Sequence, residues 1–298
     1  MPTVSIIIPT FNRGNLLPAA IESAQHAGRD SEIIVVDDGS TDNTREVCQE
    51  FADIRYLRLE RNAGLANARN TGVLASSAQF VTFLDDDDRR LPGSLDSQLN
   101  ALKARPDAAF CYGRVVVVDA LRHLPTGEIL PERCPTGDIF WDLMERNFVP
   151  INSVVADRRL LIKRNLFTAS LRAVEDWDLC LRMTEAWPVV AIEEPVATYR
   201  KATPQSGQMC SDMLSIWRQM FQVQKVALEL TRARSAPIWK RKLARLRLIK
   251  LAYNALLFEE AAITESKRGA RQSLPEILRL RPFYTRAGLN LFRLLRSD

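Results

Sequence analysis

Residues 80–88 read FVTFLDDDD, so a run typical of a buried strand passes directly into four aspartates. Two earlier stretches have the same form: residues 4–13 read VSIIIPTFNR, and residues 33–40 read IIVVDDGS. Strands without polar alternation are typical of a parallel sheet that helices cover on both faces. Such sheets bind ligands beyond the carboxyl ends of their strands, so the residues that follow each run are candidates for function.

The remaining pattern alternates short strands with helices. Strands are predicted at residues 4–9, 32–37, 55–60, 79–84, 108–119, 151–156 and 189–200, and helices near residues 15, 41 and 65 and over 92–104 and 176–186. Residues 124–137 are predicted to be a loop or hairpin. The sequence therefore predicts an α/β fold with a mainly parallel open sheet, in a domain of residues 1–210.

The positive charge of the chain is confined to its C-terminal part. The 298 residues contain 41 Lys and Arg against 36 Asp and Glu. Residues 1–212 hold 23 against 30, whereas residues 213–298 hold 18 against 6. The part that carries the motifs is acidic, which argues against nucleic acid as a partner.

Residues 211–298 are predicted to form a basic, all-helical C-terminal region. Two interpretations are open for it. It packs against the first domain or a second copy in a homodimer, or it docks on anionic lipid as a basic amphipathic surface.

Cysteine and histidine usage favours a reducing compartment without a zinc site. The five cysteines show no CxxC spacing, and only two histidines, His26 and His123, are present. No apolar run reaches the ~20 residues that span a bilayer, and the start of the chain lacks the features of a signal peptide. We expect a cytoplasmic protein, with peripheral contact to the inner face of the membrane if the tail binds lipid.

Three acidic clusters follow or begin predicted elements. Taken alone, the sequence DDGS at 37–40 is typical of a turn with a helix cap, and EDWD at 175–178 of acids at a helix start. The four aspartates at 85–88 repel one another unless they are solvated or share a cation. Carboxylates at a strand end suit Mg²⁺ or Mn²⁺, which complete their coordination with water and phosphate oxygens. A solvated acidic turn is the alternative.

Five motifs in order carry a resemblance to a known family. They are VSIIIPTFNR at 4–13, VVDDGSTD at 35–42, NAGLANARNTG at 62–72, LDDDD at 84–88 and VEDWDL at 174–179. Together they resemble the family 2 glycosyltransferases with the GT-A fold, over about residues 3–205. The resemblance does not extend to the C-terminal region.

The resemblance implies an inverting transfer from a nucleotide-diphosphate sugar, with a UDP-sugar favoured. The acceptor would be a hydroxyl of a saccharide, a lipid-linked acceptor or another molecule, in bacterial cell-surface polysaccharide or glycoconjugate synthesis. The residues implied to bind the nucleotide sugar are Pro9, Thr10, Phe11, Asp38, Arg69, Asp85 and Asp86. Asp87 would hold Mn²⁺ or Mg²⁺, and Asp176 would be the general base, with Glu175 as the second choice.

These roles fit the chemistry of inverting transfer. A divalent cation stabilises the negative charge that develops on a departing diphosphate, and a carboxylate takes the proton of the attacking hydroxyl.

Several alternatives stay open at this point. Phe11 could belong to the core, Arg69 could be an ordinary surface charge, and Arg89 and Arg90 could bind an anionic acceptor or offset the acidic charge. The whole chain could also be a catalytically silent sugar-nucleotide-binding protein, in which Asp176 would have no chemical role. GxGxxG and GxxxxGK[ST] motifs are absent from the sequence, which argues against a dinucleotide-dependent oxidoreductase and against a P-loop enzyme.

Overall fold

Within the part of the chain that the structure describes, eight strands form one mainly parallel sheet. This computed structural model describes residues 2–201 and 213–249. The strands are β1 (Val4–Thr10), β2 (Ser31–Asp37), β3 (Ile54–Arg58), β4 (Phe80–Phe83), β5 (Phe110–Val118), β6 (Pro125–Leu130), β7 (Val155–Asp157) and β8 (Val190–Arg200). Their order across the sheet is β3-β2-β1-β4-β7-β5-β6, and β8 pairs with β5.

The parallel part of the sheet lies around β1. This strand pairs in parallel with β2 and β4, and β2 pairs in parallel with β3. β7 runs antiparallel to both β4 and β5, β6 is antiparallel to β5, and β8 is parallel to β5. The predicted α/β fold with a mainly parallel open sheet is therefore confirmed.

Helices connect and flank the strands. They are α1 (Leu17–Gln25), α2 (Thr44–Gln49), α3 (Leu65–Ala75), α4 (Ser94–Ala104), α5 (Phe140–Leu143), α6 (Arg158–Lys163), α7 (Glu175–Thr184), α8 (Met213–Leu228), α9 (Thr231–Arg234) and α10 (residues 238–249). The prediction of one strand over residues 151–156 is wrong in part. A 3-10 turn occupies Ile151–Ser153, and β7 begins only at Val155.

The core forms because the parallel strands are apolar on both faces. All seven residues of β1 and the last five of β2 are buried. Helix α3 packs closely on β1 at Gly72, where an added Cβ would lie 2.4 Å from Cγ2 of Ile7. A glycine at this position lets the helix approach the strand, and the helix carries Arg69 toward the carboxyl edge of the sheet.

The strand ends that carry the motifs lie side by side. Thr10, at the end of β1, is in register with Asp37 at the end of β2. The amide of Asp38 donates to the carbonyl of Thr10 at 2.9 Å, and the amide of Leu84 donates to the carbonyl of Ile7 at 3.0 Å. These contacts extend the parallel pairing past the strands and bring the acidic motifs to one edge.

The chain divides into two compact units, Met1–Gln208 and Met209–Asp298. Residues 202–212 and 250–298 lie outside the described residues, so the boundary at residue 210 and the helical character of the last 49 positions stay predictions. The described part of the second unit, residues 213–249, consists of helices α8, α9 and α10, with short interruptions at residues 229–230 and 235–237. No helix among the described residues has the length and apolar character needed to cross a membrane.

Candidate active site

The aspartates that follow β4 do not share one environment. Asp86 is buried and accepts a hydrogen bond of 2.8 Å from the Thr10 hydroxyl. One terminal nitrogen of Arg13 lies 2.9 Å from the Asp86 carboxylate and 3.1 Å from that of Asp87. Burial, together with the charge of Asp87, raises the pKa of Asp86 to about 6 although Arg13 acts in the opposite direction. Arg13 therefore joins two neighbouring carboxylates that would otherwise repel each other.

A second guanidinium, from the end of β8, also approaches Asp87. Arg200, the last residue of β8, places Nη1 3.5 Å from the Asp87 carboxylate. The carbonyl of Ala120 accepts two hydrogen bonds from the same guanidinium, at 2.9 and 2.6 Å, and fixes its orientation. Residues 85–88 form a loop that we call the acidic loop. Arg13 and Arg200 balance part of its negative charge. Neither solvent nor a bound cation is therefore needed to balance all of that charge.

Asp88 anchors the acidic loop to Asn152 and to β8. Its carboxylate accepts hydrogen bonds of 2.7 Å from the Asn152 side chain and from the backbone amide of Arg200. Burial, with the charges of Asp85 and Asp87, raises the pKa of Asp88 well above its ordinary value. Asn152 also donates to the carbonyl of Thr198 at 2.8 Å, so one side chain connects the loop with β8.

Arg90 is a structural residue, and neither role proposed for it from the sequence fits. It is 2% exposed and donates to the carbonyl of Asn152 at 2.8 Å and to the side chain of Gln98. Burial lowers its pKa to about 9. Gln98 in turn donates to the carbonyl of Ser153 at 2.6 Å. Arg90 thus holds the 3-10 turn that carries Asn152, whereas Arg89 is exposed.

Arg69 connects the acidic loop with the start of α7. Its two terminal nitrogens each make a 2.6 Å ion pair, one with Asp85 and one with Glu175. The side chain is 1% exposed, which contradicts the alternative of an ordinary surface charge. Burial opposes the charge on Arg69, but the charges of Asp85 and Glu175 outweigh burial and raise its pKa. Its guanidinium also lies 5.4 Å from the ring centre of Phe167.

Asp176 lies beside this ion-pair bridge on the first turn of α7. Its Oδ1 accepts from the amide of Trp177 at 2.7 Å, and its Oδ2 accepts from Asn147 at 3.3 Å. Burial and the charge of Glu175 raise the pKa of Asp176 to about 6, although Arg69 lowers it. A carboxylate with a raised pKa is a stronger base than an ordinary aspartate, which suits proton abstraction near neutral pH.

Three features define the position of α7. Val174, just before the helix, has φ of 61°, an unfavourable conformation for a β-branched residue. Within the helix the buried indole of Trp177 donates to the carbonyl of Leu143 at 2.8 Å. Asp178 accepts from Thr168 at 2.7 Å and pairs with Arg182 at 2.7 Å. Through these two contacts Asp178 anchors the helix.

Asp38 organises the loop that leads into α3. Its two carboxylate oxygens accept hydrogen bonds from the backbone amides of Ala63 and Gly64, at 2.7 and 2.8 Å. Gly64 has φ of 93°, which glycine adopts readily. The contact of Asp38 with a nucleotide base stays a prediction.

The end of β1 presents one aromatic ring to solvent. Pro9 and Thr10 are buried, but Phe11 is 41% exposed, so the alternative that Phe11 belongs to the core is wrong. Asn12, at φ of 53°, accepts from the amide of Thr41 at 2.7 Å through its side chain. The loop after β1 is thereby tied to the loop after β2, and the stacking of Phe11 on a base stays a prediction.

Sequence reasoning identified most of this cluster and missed several basic and amide side chains. Asp85 and Asp86, Arg69 and Asp176 are brought together as expected, and Asp87 lies among them. Four contacts of the site were not predicted, those made by the side chains of Arg13, Asn147, Asn152 and Arg200. Arg13 does belong to the residues after a predicted strand, which were candidates by position, but no role was assigned to it.

The side chains of the site supply only part of the ligands that a divalent cation needs. Within residues 2–201 and 213–249, no three His, Cys, Asp or Glu side chains converge to hold a metal ion. Mg²⁺ and Mn²⁺ often keep one or two carboxylates and take their other oxygens from phosphate and water. Asp87 can supply such a carboxylate, although Arg13 and Arg200 compete for it.

Comparisons with known proteins agree with this architecture. The sequence signature described as Glycosyl transferase family 2 matches residues 5–159, more than half of the chain. A GalNAc(5)-diNAcBac-PP-undecaprenol beta-1,3-glucosyltransferase of Campylobacter jejuni is 41% identical over 123 residues, which cover 39% of each chain. The Escherichia coli UDP-Glc:alpha-D-GlcNAc-diphosphoundecaprenol beta-1,3-glucosyltransferase WfgD is 31% identical over 63% of this chain and 72% of its own.

Solved structures share the fold at low sequence identity. Staphylococcus aureus TarS 1–349 superimposes with a TM-score of 0.64 at 14% identity, over 85% of this chain and 72% of TarS. The mannosyltransferase PcManGT of Pyrobaculum calidifontis, solved in complex with GDP-Man and Mn²⁺, gives 0.61 at 18% identity, over 99% and 82%.

Proposed function

Since the chain belongs to glycosyl transferase family 2, we propose that it is an inverting enzyme that moves a sugar from a nucleotide-diphosphate sugar to an acceptor hydroxyl. One observation carries the proposal. Arg69 joins Asp85 at the end of β4 to Glu175 at the start of α7, with 2.6 Å to each carboxylate. The acidic loop and the proposed base Asp176 therefore belong to one preorganised site, which a transfer reaction requires.

The donor binds at the carboxyl edge of β1, β2 and β4. Phe11 stacks on the base, Asp38 accepts a hydrogen bond from it, and Asp85 and Asp86 contact the ribose and the sugar. Pro9 and Thr10 form the adjoining wall, and Arg69 approaches the diphosphate. A UDP-sugar is favoured, because the name of WfgD, which is 31% identical, specifies UDP-Glc.

Asp87 would hold Mn²⁺ or Mg²⁺ together with the donor's diphosphate. The ion would supply positive charge that stabilises the departing nucleoside diphosphate. Arg13 and Arg200 both approach Oδ2 of Asp87, at 3.1 and 3.5 Å, so they would compete with a metal ion for that oxygen. The Mn²⁺ in the PcManGT complex, which shares the fold, supports the choice of ion.

Asp176 takes the proton of the acceptor hydroxyl while that oxygen attacks the anomeric carbon. The bond between the anomeric carbon and the diphosphate oxygen breaks in the same step, so the configuration inverts and no covalent enzyme intermediate forms. A pKa of about 6 keeps Asp176 ionised near neutral pH while making it a better base than an exposed aspartate. Glu175, although adjacent, is engaged by Arg69.

The acceptor is a lipid-linked saccharide in the synthesis of a bacterial glycoconjugate or polysaccharide. The names of two relatives specify undecaprenol diphosphate-linked acceptors. The matched segment spans 39% of the Campylobacter protein, and the feature that both names share is a diphospholipid-linked sugar.

The test begins with donor binding and then measures transfer. UDP-, GDP- and dTDP-sugars are screened with Mn²⁺ for thermal stabilisation of the full chain, because donor binding raises stability by mass action. The best donor is then incubated with a diphospholipid-linked sugar acceptor, and the wild type is compared with Asp176→Asn. We expect an inverted product from the wild type and a rate lower by about 10²–10⁴-fold in the variant. Donor binding without any transfer, unchanged by Asp176→Asn, would instead identify a silent binding protein.

A further inference from the structure

Helix α10 has two apolar faces, and one of them is exposed. Ala244 and Leu248 are buried, so one face of the helix is already covered. Trp239, Leu243 and Leu246 are 61%, 43% and 61% exposed. These three positions recur at intervals of four and three residues, which places them on one side of an α-helix, away from the buried pair.

The exposed apolar face lies in a strongly basic segment. Residues 213–249 contain nine Lys and Arg residues against one acid, Glu229, which pairs with Arg234. Lys242 and Arg245 are exposed on α10 itself. Single exposed apolar residues are common on soluble proteins, but a tryptophan and two leucines on one helical face among cations are characteristic of an interfacial helix.

We propose that this face of α10 docks on an anionic lipid bilayer. Trp239, Leu243 and Leu246 enter the boundary between headgroups and acyl chains, and Lys242 and Arg245 bind the phosphates of the headgroups. Lys242 and Arg245 can do so because long basic side chains extend from a partly immersed helix to the level of the headgroups. The proposal goes beyond the transfer reaction and does not depend on it.

Charge favours a bilayer over a second copy of the chain as the occupant of this face. A two-fold dimer through α10 would bring the same basic surface of each copy against the other. Like charges at such an interface repel, whereas an anionic bilayer offers opposite charge next to an apolar interior. A bilayer therefore matches both the basic charge and the apolar side chains of this face.

Vesicle co-sedimentation of the full chain tests the proposal. The protein is mixed at low salt with vesicles of phosphatidylcholine alone or of phosphatidylcholine with phosphatidylglycerol. We expect it to pellet with the anionic vesicles and to be released as salt rises. The combined variant Trp239→Gln, Leu243→Gln, Leu246→Gln should bind at least about tenfold more weakly, because it loses three large apolar side chains. These positions are exposed, so the variant should fold.

Two further variants define the specificity of the effect. Leu74→Gln removes a side chain that is 60% exposed on α3, and it should bind vesicles like the wild type. The pair Lys242→Gln, Arg245→Gln should weaken binding to anionic vesicles by about fivefold per charge. It should leave the contact with phosphatidylcholine unchanged.

Several results would overturn the proposal. One is a wild type that stays in the supernatant with anionic vesicles at low salt. Another is a glutamine triple variant that pellets as well as the wild type. A third is light scattering that shows a wild-type dimer and a monomeric triple variant, since the face would then join two copies. UDP binding by the triple variant should equal that of the wild type; if no form of the protein binds UDP, the proposed function fails while the lipid contact stands.

Discussion

Replacement of Asp176 by asparagine should make the protein more stable and much less active at the same time. Burial and the charge of Glu175 raise the pKa of Asp176 from 3.8 to about 6. Keeping this carboxylate charged in the folded protein therefore costs ~3 kcal/mol. Asparagine removes the charge and keeps Oδ1 as an acceptor for the amide of Trp177.

The gain should depend on pH in a defined direction. Because the folded protein binds the Asp176 proton more tightly than the unfolded chain, wild-type stability falls as pH rises between about 4 and about 6. The variant does not lose stability in this way. Its free energy of unfolding should therefore exceed that of the wild type by ~1–3 kcal/mol at about pH 7.5 and by less at about pH 5. The kcat/KM of the wild type should fall below about pH 6, as the base becomes protonated.

The assay is urea unfolding at both pH values, together with the rate of nucleotide release. Asp178→Asn is the matched control two residues along the same helix. Its carboxylate pairs with Arg182 and accepts from Thr168, so its loss should destabilise the protein at both pH values. If Asp176→Asn destabilises the fold as much as Asp178→Asn does, or keeps wild-type kcat/KM, Asp176 is not a base whose buried charge destabilises the folded protein.

Three further substitutions test the supports of the site by urea unfolding near neutral pH. Arg69→Met leaves two carboxylates without their shared partner and should cost ~3–5 kcal/mol, and a cost below ~1 kcal/mol would contradict the buried bridge. Asn152→Ala removes a donor to buried Asp88 and should cost ~1–3 kcal/mol; an unchanged unfolding midpoint would argue against that contact. Gly72→Ala places a methyl group against Ile7 and should cost ~1–3 kcal/mol, whereas a more stable variant would refute the close approach of α3 to β1.

The parts of the fold that the sequence predicted are those governed by local rules. The apolar runs before Phe11, Asp38 and Asp85 form β1, β2 and β4, because strands apolar on both faces require a covered parallel sheet. Their carboxyl ends meet at one edge for the same topological reason. The acidic motifs could therefore be assigned to one site before any distance was known.

The parts that escaped prediction depend on contacts between distant residues. Residues 151–153 were predicted to begin a strand, but they form a 3-10 turn. Their backbone carbonyls accept hydrogen bonds from Arg90 and Gln98, and the Asn152 side chain donates to Asp88. Arg200 is 113 positions from Asp87, and no periodicity signals that the two side chains approach each other. Sequence pattern indicates where polar groups leave a strand, whereas tertiary packing decides which of them pair.

The most direct test of the account is calorimetric titration of UDP into the full chain with and without Mn²⁺, for the wild type and for Asp87→Asn. In the proposed site Asp87 would hold the ion, and the diphosphate would supply further ligands. Mn²⁺ should therefore tighten UDP binding to the wild type by about tenfold or more, a difference of ~1.4 kcal/mol, and this gain should be lost in the variant. Equal UDP affinity with and without Mn²⁺ in the wild type, or the same Mn²⁺ effect in both proteins, would contradict the account.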